Sequence, residues 1–90
     1  MLFRSVQVYL FGSFATGTYT DESDMDFYIV VEDTGQNLTD LTVKAYKRIR
    51  NVRKRAVDII IGTAADFETR KNVPSIEREV IKKGILLYEK

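Results

Sequence analysis

The stretch LFGSFATGTYTDESDMDFYIVV, Leu10 to Val31, decides how the rest of the chain is read. An apolar run ends at Gly12-Ser13. Ten residues separate Ser13 from Asp24, and Asp24 and Asp26 then lead into a second apolar run. Strand side chains alternate between faces, so two acids one residue apart point the same way. At about 3.3 Å rise per residue their backbone positions lie roughly 7 Å apart. Two like charges at that separation repel by about 2.4 kcal/mol at an effective dielectric near 20.

A third acid sharpens the problem. Asp58 lies inside the run VDIII, Val57–Ile61, between apolar neighbours. A lone carboxylate among strand hydrophobes is costly unless it is paired or bound to a metal. If the second and third strands are neighbours, three carboxylates converge on one patch. They then raise one another's pKa values or demand a cation. Magnesium suits such a patch, because it takes a few carboxylates, several waters and the phosphates of a nucleotide. The upstream turn offers the matching anion site. Gly12 lets another backbone approach closely, Ser13 supplies a hydroxyl and an N–H, and Gly17 is a second flexible point. Taken alone, SDMD reads as a structural turn, since Asx residues cap turns. The combination with Gly-Ser and with an acid in the next strand points to a site.

Working outward, VQVYLF at Val6–Phe11 predicts a buried strand stopped by Gly12. Residues 12–23 read as a turn with one helical turn at Ser13–Thr16. DFYIVV at Asp26–Val31 is the second strand. Leu38, Leu41, Ala45, Ile49 and Val52 recur at spacings of three and four, which predicts an amphipathic helix over Asn37–Val52 with Asn37 as its cap. Val57–Ile61 is the third strand, closed by Gly62. Thr63 followed by Asp66 resembles a cap for a short helix over 64–71. Pro74 and Ser75 start another helix that ends at Gly84, and Ile85–Tyr88 is a final strand. The layout is α/β in the mixed, α+β sense: a small mixed sheet flanked by helices. Periodicity leaves open which strands run parallel.

Composition narrows the chemistry. The chain has 90 residues, the length of one domain over 1–90, with no cysteine and no histidine. That removes disulfides, thiolate sites, Ser-His and Cys-His nucleophiles and most zinc chemistry. Any metal site must use oxygen ligands, which means magnesium, manganese or calcium. The net charge of +1 favours no particular partner. No apolar stretch approaches the roughly 20 residues of a membrane span, and the N-terminus does not read as a secretory signal. A cytoplasmic location is the default.

From Lys44 to Arg55 there are seven basic residues and no acid: Lys44, Lys47, Arg48, Arg50, Arg53, Lys54 and Arg55. Such a run is ordinarily the solvated face of a helix. Tyr46 is its one interleaved aromatic, so nucleic-acid binding is not favoured. Tyr9, Phe11, Phe27 and Tyr28 lie in strands and read as core or interface. Tyr28 shares a face with Asp24 and Asp26 and is therefore a candidate for lining the site.

At these residues the chain resembles the minimal nucleotidyltransferases of the DNA polymerase β-like superfamily, in the antitoxin-type group. The matching elements are Gly12-Ser13, Ala15, Gly17, Ser23-Asp24-Met25-Asp26 and Asp58, and the C-terminal IEREVIKKGILLYEK looks like the end of such domains. The resemblance covers nearly the whole chain. It implies the nucleotidyltransferase fold, with Gly12, Ser13, Gly17 and Ser23 binding the nucleotide. It further implies that Asp24, Asp26 and Asp58 hold two magnesium ions, manganese being the alternative. Asp58 would also help deprotonate an acceptor hydroxyl. The reaction implied is in-line transfer of AMP from ATP to a hydroxyl, with pyrophosphate leaving. The partners implied are ATP and a HEPN-type all-helical toxin, or a second copy of the chain. The rival expectation is a non-catalytic antitoxin that neutralises the toxin by binding.

Overall fold

The structure is a computed structural model that describes residues 6–32, 40, 43, 44, 46, 47 and 56–89. In chain order it gives β1 (Val6–Phe11), α1 (Ser13–Thr16), β2 (Met25–Val31), β3 (Val57–Thr63), α2 (Ala64–Arg70), α3 (Ile76–Lys83) and β4 (Ile85–Glu89). Most of the helix expected over Asn37–Val52 lies outside the described residues. Asp40, Val43, Lys44, Tyr46 and Lys47 within it are helical.

The four strands form one sheet in the order β3-β2-β1-β4. β1 runs antiparallel to both β2 and β4, while β2 and β3 are parallel. The arrangement is therefore mixed α+β. The parallel pair needs a crossover, and the 25 residues 32–56 between β2 and β3 supply a connection of the length such a crossover requires. β3 runs two residues further than the sequence suggests, because Gly62 does not close it. Gly62 stays in the ladder opposite Val30. Its missing Cβ makes room for the Tyr28 hydroxyl, with Tyr28 Cζ only 3.2 Å from where a Cβ would stand.

α2 and α3 cover one face of the sheet. Thr63 caps α2, its Oγ1 accepting from the Asp66 N–H at 3.2 Å. Ser75 caps α3, accepting from the Arg78 N–H at 3.1 Å. Under them lie Tyr9, Tyr28 and Val30 from the sheet, Phe67 from α2 and Val80 from α3. Phe67 stacks on Tyr9 at 5.8 Å and tilts against Tyr28 at 5.4 Å. Val80 is fully buried, which contributes about 1.5–3 kcal/mol by area.

Tyr28 is therefore a core residue and does not line an open site, contrary to the sequence expectation. It is 1% exposed, and its hydroxyl donates to Glu77 Oε2 at 2.7 Å. Glu77 in turn accepts from Arg70 Nε at 3.0 Å. Among the described residues no helix is long and apolar enough to cross a membrane.

Candidate active site

The parallel register sets Asp26 directly beside Asp58. Neighbouring strands lie about 4.8 Å apart, so the two carboxyls leave the backbone side by side on one face. On the other flank, the antiparallel register sets Asp26 beside Phe11, the last residue of β1. The chain then turns at Gly12, whose φ of 76° lies in the region that favours glycine. A Cβ at Gly12 would collide with the Asp26 Oδ2 atom, and Asp26 Cγ would stand 3.3 Å from it. The Gly-Ser turn and the second acid are thus in contact across a gap of fourteen positions in sequence. The first turn of α1 closes behind them, with Ala15 N donating to Gly12 O at 3.1 Å.

Asp24 stands apart from this pair. It lies in the turn before β2 and is exposed. Asp58 is exposed too, so it is not the buried strand carboxylate that its apolar neighbours suggested. Gly17 ends α1 in the left-handed conformation, with φ 80°. The Ser23 hydroxyl accepts from the Thr20 N–H at 2.8 Å and so braces the turn. Ser13 opens α1 next to Gly12.

The electrostatics single out Asp26. Burial pushes its carboxyl above the usual range, and the charges of Asp58 and then Asp24 push it further. A hydrogen bond with the Asp58 side chain acts in the same direction. Two facing carboxyls on neighbouring strands repel by roughly 3 kcal/mol at an effective dielectric near 20. A hard divalent cation would relieve that repulsion. The donor set is oxygen only, and two carboxyls meet beside Gly12, so the residues fit magnesium. Among the described residues no three acids already stand together as a ready cage. Asp24 contributes charge at Asp26, not a preformed third arm.

Beside Gly12 lies an open groove of about 340 Å³, lined by Phe11, Gly12, Thr16, Ile76, Glu79 and Lys83. Reading along the sequence does not find this wall, because it joins the end of β1 to a helix more than sixty positions later. The Tyr28–Glu77–Arg70 chain of hydrogen bonds was equally hidden. Its one local signal is an acid in the first turn after the Ser75 cap.

Of the basic run, Lys44 and Lys47 are helical and exposed, and Arg48, Arg50, Arg53, Lys54 and Arg55 lie outside the described residues. Tyr46 has a structural use. Its hydroxyl accepts the Ile59 N–H at 2.8 Å, satisfying a donor on the edge strand β3.

Residues 4–90 match the family model described as Polymerase beta, Nucleotidyltransferase. A protein of Methanocaldococcus jannaschii that bears the provisional name protein adenylyltransferase is 33% identical over 85 residues, covering 94% of this chain and 80% of that protein. A crystal structure of a toxin-antitoxin with AMP-PNP superposes with a TM-score of 0.54 at 24% identity, covering 91% of this chain and 59% of that one. At that identity the likeness to the crystal structure is one of fold.

Proposed function

The chain belongs to the polymerase beta nucleotidyltransferase family, and from that premise we propose that it transfers AMP from ATP to a hydroxyl acceptor in a magnesium-dependent reaction. The observation that carries this reading is the meeting of Asp26 with Asp58 beside Gly12. It puts a paired-acid patch against a glycine turn whose backbone can lie close to a phosphate.

In this reading residues 1–90 act as one nucleotidyltransferase unit. Gly12 and Ser13 hold the triphosphate, while Gly17 and Ser23 shape the loop that presents them. Asp24, Asp26 and Asp58 hold two magnesium ions, with manganese as a substitute. When bound, the metal supplies charge neutralisation and Lewis-acid activation at the phosphates. Asp58, the more exposed of the strand pair, takes the proton from the acceptor hydroxyl. The hydroxyl oxygen then bonds to the α-phosphorus as the bond to the bridging oxygen breaks, and pyrophosphate leaves. Positioning is the protein's main contribution, since aligned reactants alone can remove about 7–11 kcal/mol from a barrier.

The acceptor belongs to another protein. The M. jannaschii relative's name supports a protein substrate, and the toxin-antitoxin neighbour supports a toxin in that role. We assign the partner to the HEPN-type helical toxins, or to a second copy of the chain, in the cytoplasm, where ATP and magnesium are at hand. Incubation with labelled ATP, magnesium and the partner tests this. Label moves to the partner, and Asp24→Asn combined with Asp26→Asn abolishes it. Transfer that survives the double substitution sinks the site assignment. A second reading, a non-catalytic antitoxin, is favoured by the lack of a ready three-acid cage among the described residues. Tight binding to the partner without label transfer is its signature.

A further inference from the structure

We propose that Lys83 is the cation that binds the polyphosphate end of the nucleotide, in the groove beside Gly12. This rests on the nucleotidyl-transfer reading and adds a residue to it. The need for such a cation follows from charge. From residue 5 to residue 43 the sequence contains no lysine and no arginine. That segment carries Gly12, Ser13, Asp24 and Asp26, so the loop and the acids bring only negative charge and backbone dipoles to the site. A nucleoside triphosphate brings about four negative charges to a patch of three carboxylates, and two divalent cations offset only about four of those seven. Its counter-charge must come from elsewhere in the fold.

The groove supplies one. Gly12 and Thr16 form one wall, and Lys83, in the last turn of α3, forms the other together with Glu79 and Ile76. Lys83 is thus a basic residue brought against the Gly12 turn by the packing of α3 on the end of β1. At about 340 Å³ the space is at the small end of ligand pockets. It suits a phosphate chain better than a whole nucleotide. The Lys83 ammonium stands 3.5 Å from Glu79 Oε1, with both side chains more than half exposed. An exposed pair of this kind is too weak to fix the side chain, so a polyphosphate can draw it away. The lysine stem is long and freely rotating, which suits capture of a point charge in a mobile ligand.

The neighbouring Lys82 provides the control. It shares the helix end and the charge of Lys83 but does not line the groove. The experiment is calorimetric binding of ATP and of AMP, with magnesium, to the wild type, Lys83→Gln, Lys82→Gln, Lys83→Arg and Asp26→Asn. Loss of one charge-assisted contact predicts that Lys83→Gln weakens ATP by about tenfold while AMP binding is unchanged. Lys82→Gln should bind like the wild type, and Lys83→Arg should recover most of the loss. Equal loss of ATP and AMP in Lys83→Gln overturns the proposal, as a merely structural role would produce it. ATP affinity that falls in Asp26→Asn but not in Lys83→Gln also overturns it and leaves the transfer reading standing. A folded wild type that binds no ATP overturns both.

Discussion

At the residue scale, the Tyr28–Glu77–Arg70 chain is the strongest polar feature of the core, and its protonation sets a pH dependence. Burial opposes the Glu77 charge. The hydrogen bonds from Tyr28 and Arg70 outweigh it and hold the carboxyl below its ordinary value of 4.5. A depressed acid adds stability above the unfolded pKa, and that stability is lost as pH falls through the folded pKa. Tyr28 has the opposite sign. Burial first, then the bond and charge of Glu77, push its hydroxyl well above 10.0. Its contribution is present below pH 10 and is lost as pH rises beyond that. The contribution of this pair to stability, read from denaturant titrations as the difference from variants that lack it, should therefore be flat from about pH 5 to pH 9 and fall on both sides. Tyr28→Phe should lower the plateau by about 1–2 kcal/mol and flatten the alkaline fall. An alkaline limb unchanged in Tyr28→Phe would remove Tyr28 as its source. The same tyrosine makes Gly62 costly to change. A Cβ there meets the Tyr28 hydroxyl, which its bond to Glu77 keeps from moving aside. Gly62→Ala should cost about 1–3 kcal/mol, read as a drop in denaturant midpoint.

At the scale of elements, the features legible in sequence were those set by neighbours a few positions away. β1 and the single turn of α1 follow from an apolar run stopped by Gly12. The starts of α2 and α3 follow from Thr63 and Ser75, whose side chains bond the N–H three residues on. Ser75→Ala should cost about 1 kcal/mol, measurable by thermal melting, because α3 loses its only side-chain cap while Val80 stays in place. What was not legible depends on packing between distant segments. Gly62 looked like a stop because glycine usually marks one, yet the strand continues there to accommodate a tyrosine from the next strand. Tyr28 looked like a site residue because alternation puts it on the face of Asp26. Alternation cannot tell where α2 and α3 end and open solvent begins. The helices cover Tyr28 and leave Asp26 at the rim. The parallel pairing that joins Asp26 to Asp58 was likewise open in the sequence, since either strand direction fits the same pattern. Removing one of the two facing charges should stabilise the metal-free protein. Asp26→Asn should raise its melting midpoint at neutral pH, and adding magnesium and ATP should then raise the midpoint of the wild type but not of this variant. A fall in the metal-free midpoint would mean that the pair is not mutually strained.

At the scale of the whole molecule, the described residues protect one edge of the sheet and leave the other uncovered. The β3 edge has Tyr46 accepting from Ile59. β4 carries Ile85, Leu86, Leu87 and Tyr88, each between 43% and 53% exposed, on an edge that no other strand in the sheet pairs. Edge strands are normally guarded by charge, proline or a bulge that turns them away. Here the apolar residues run on both faces. The one bulge disturbs the inner pairing with β1, between Val8 and Tyr9, and leaves the outer edge as it is. A chain of about 90 residues hides only some 60–65% of its unfolded surface, so it has little spare stability to set against an open apolar edge. Antiparallel pairing of two β4 strands about Leu87 would set Leu86 of one copy against Tyr88 of the other, an aliphatic–aromatic pair of the favourable kind. On its own the protein should therefore self-associate as concentration rises. Leu87→Lys should return it to a monomer in sedimentation, because two lysines would then face each other at the centre of the pairing. At concentrations where the wild type is itself monomeric, thermal midpoint and ATP affinity should match wild-type values, since Leu87 touches neither the core nor the Gly12 groove. A wild type that sediments as a monomer at every concentration would show that the β4 edge is not sticky enough to need a cover.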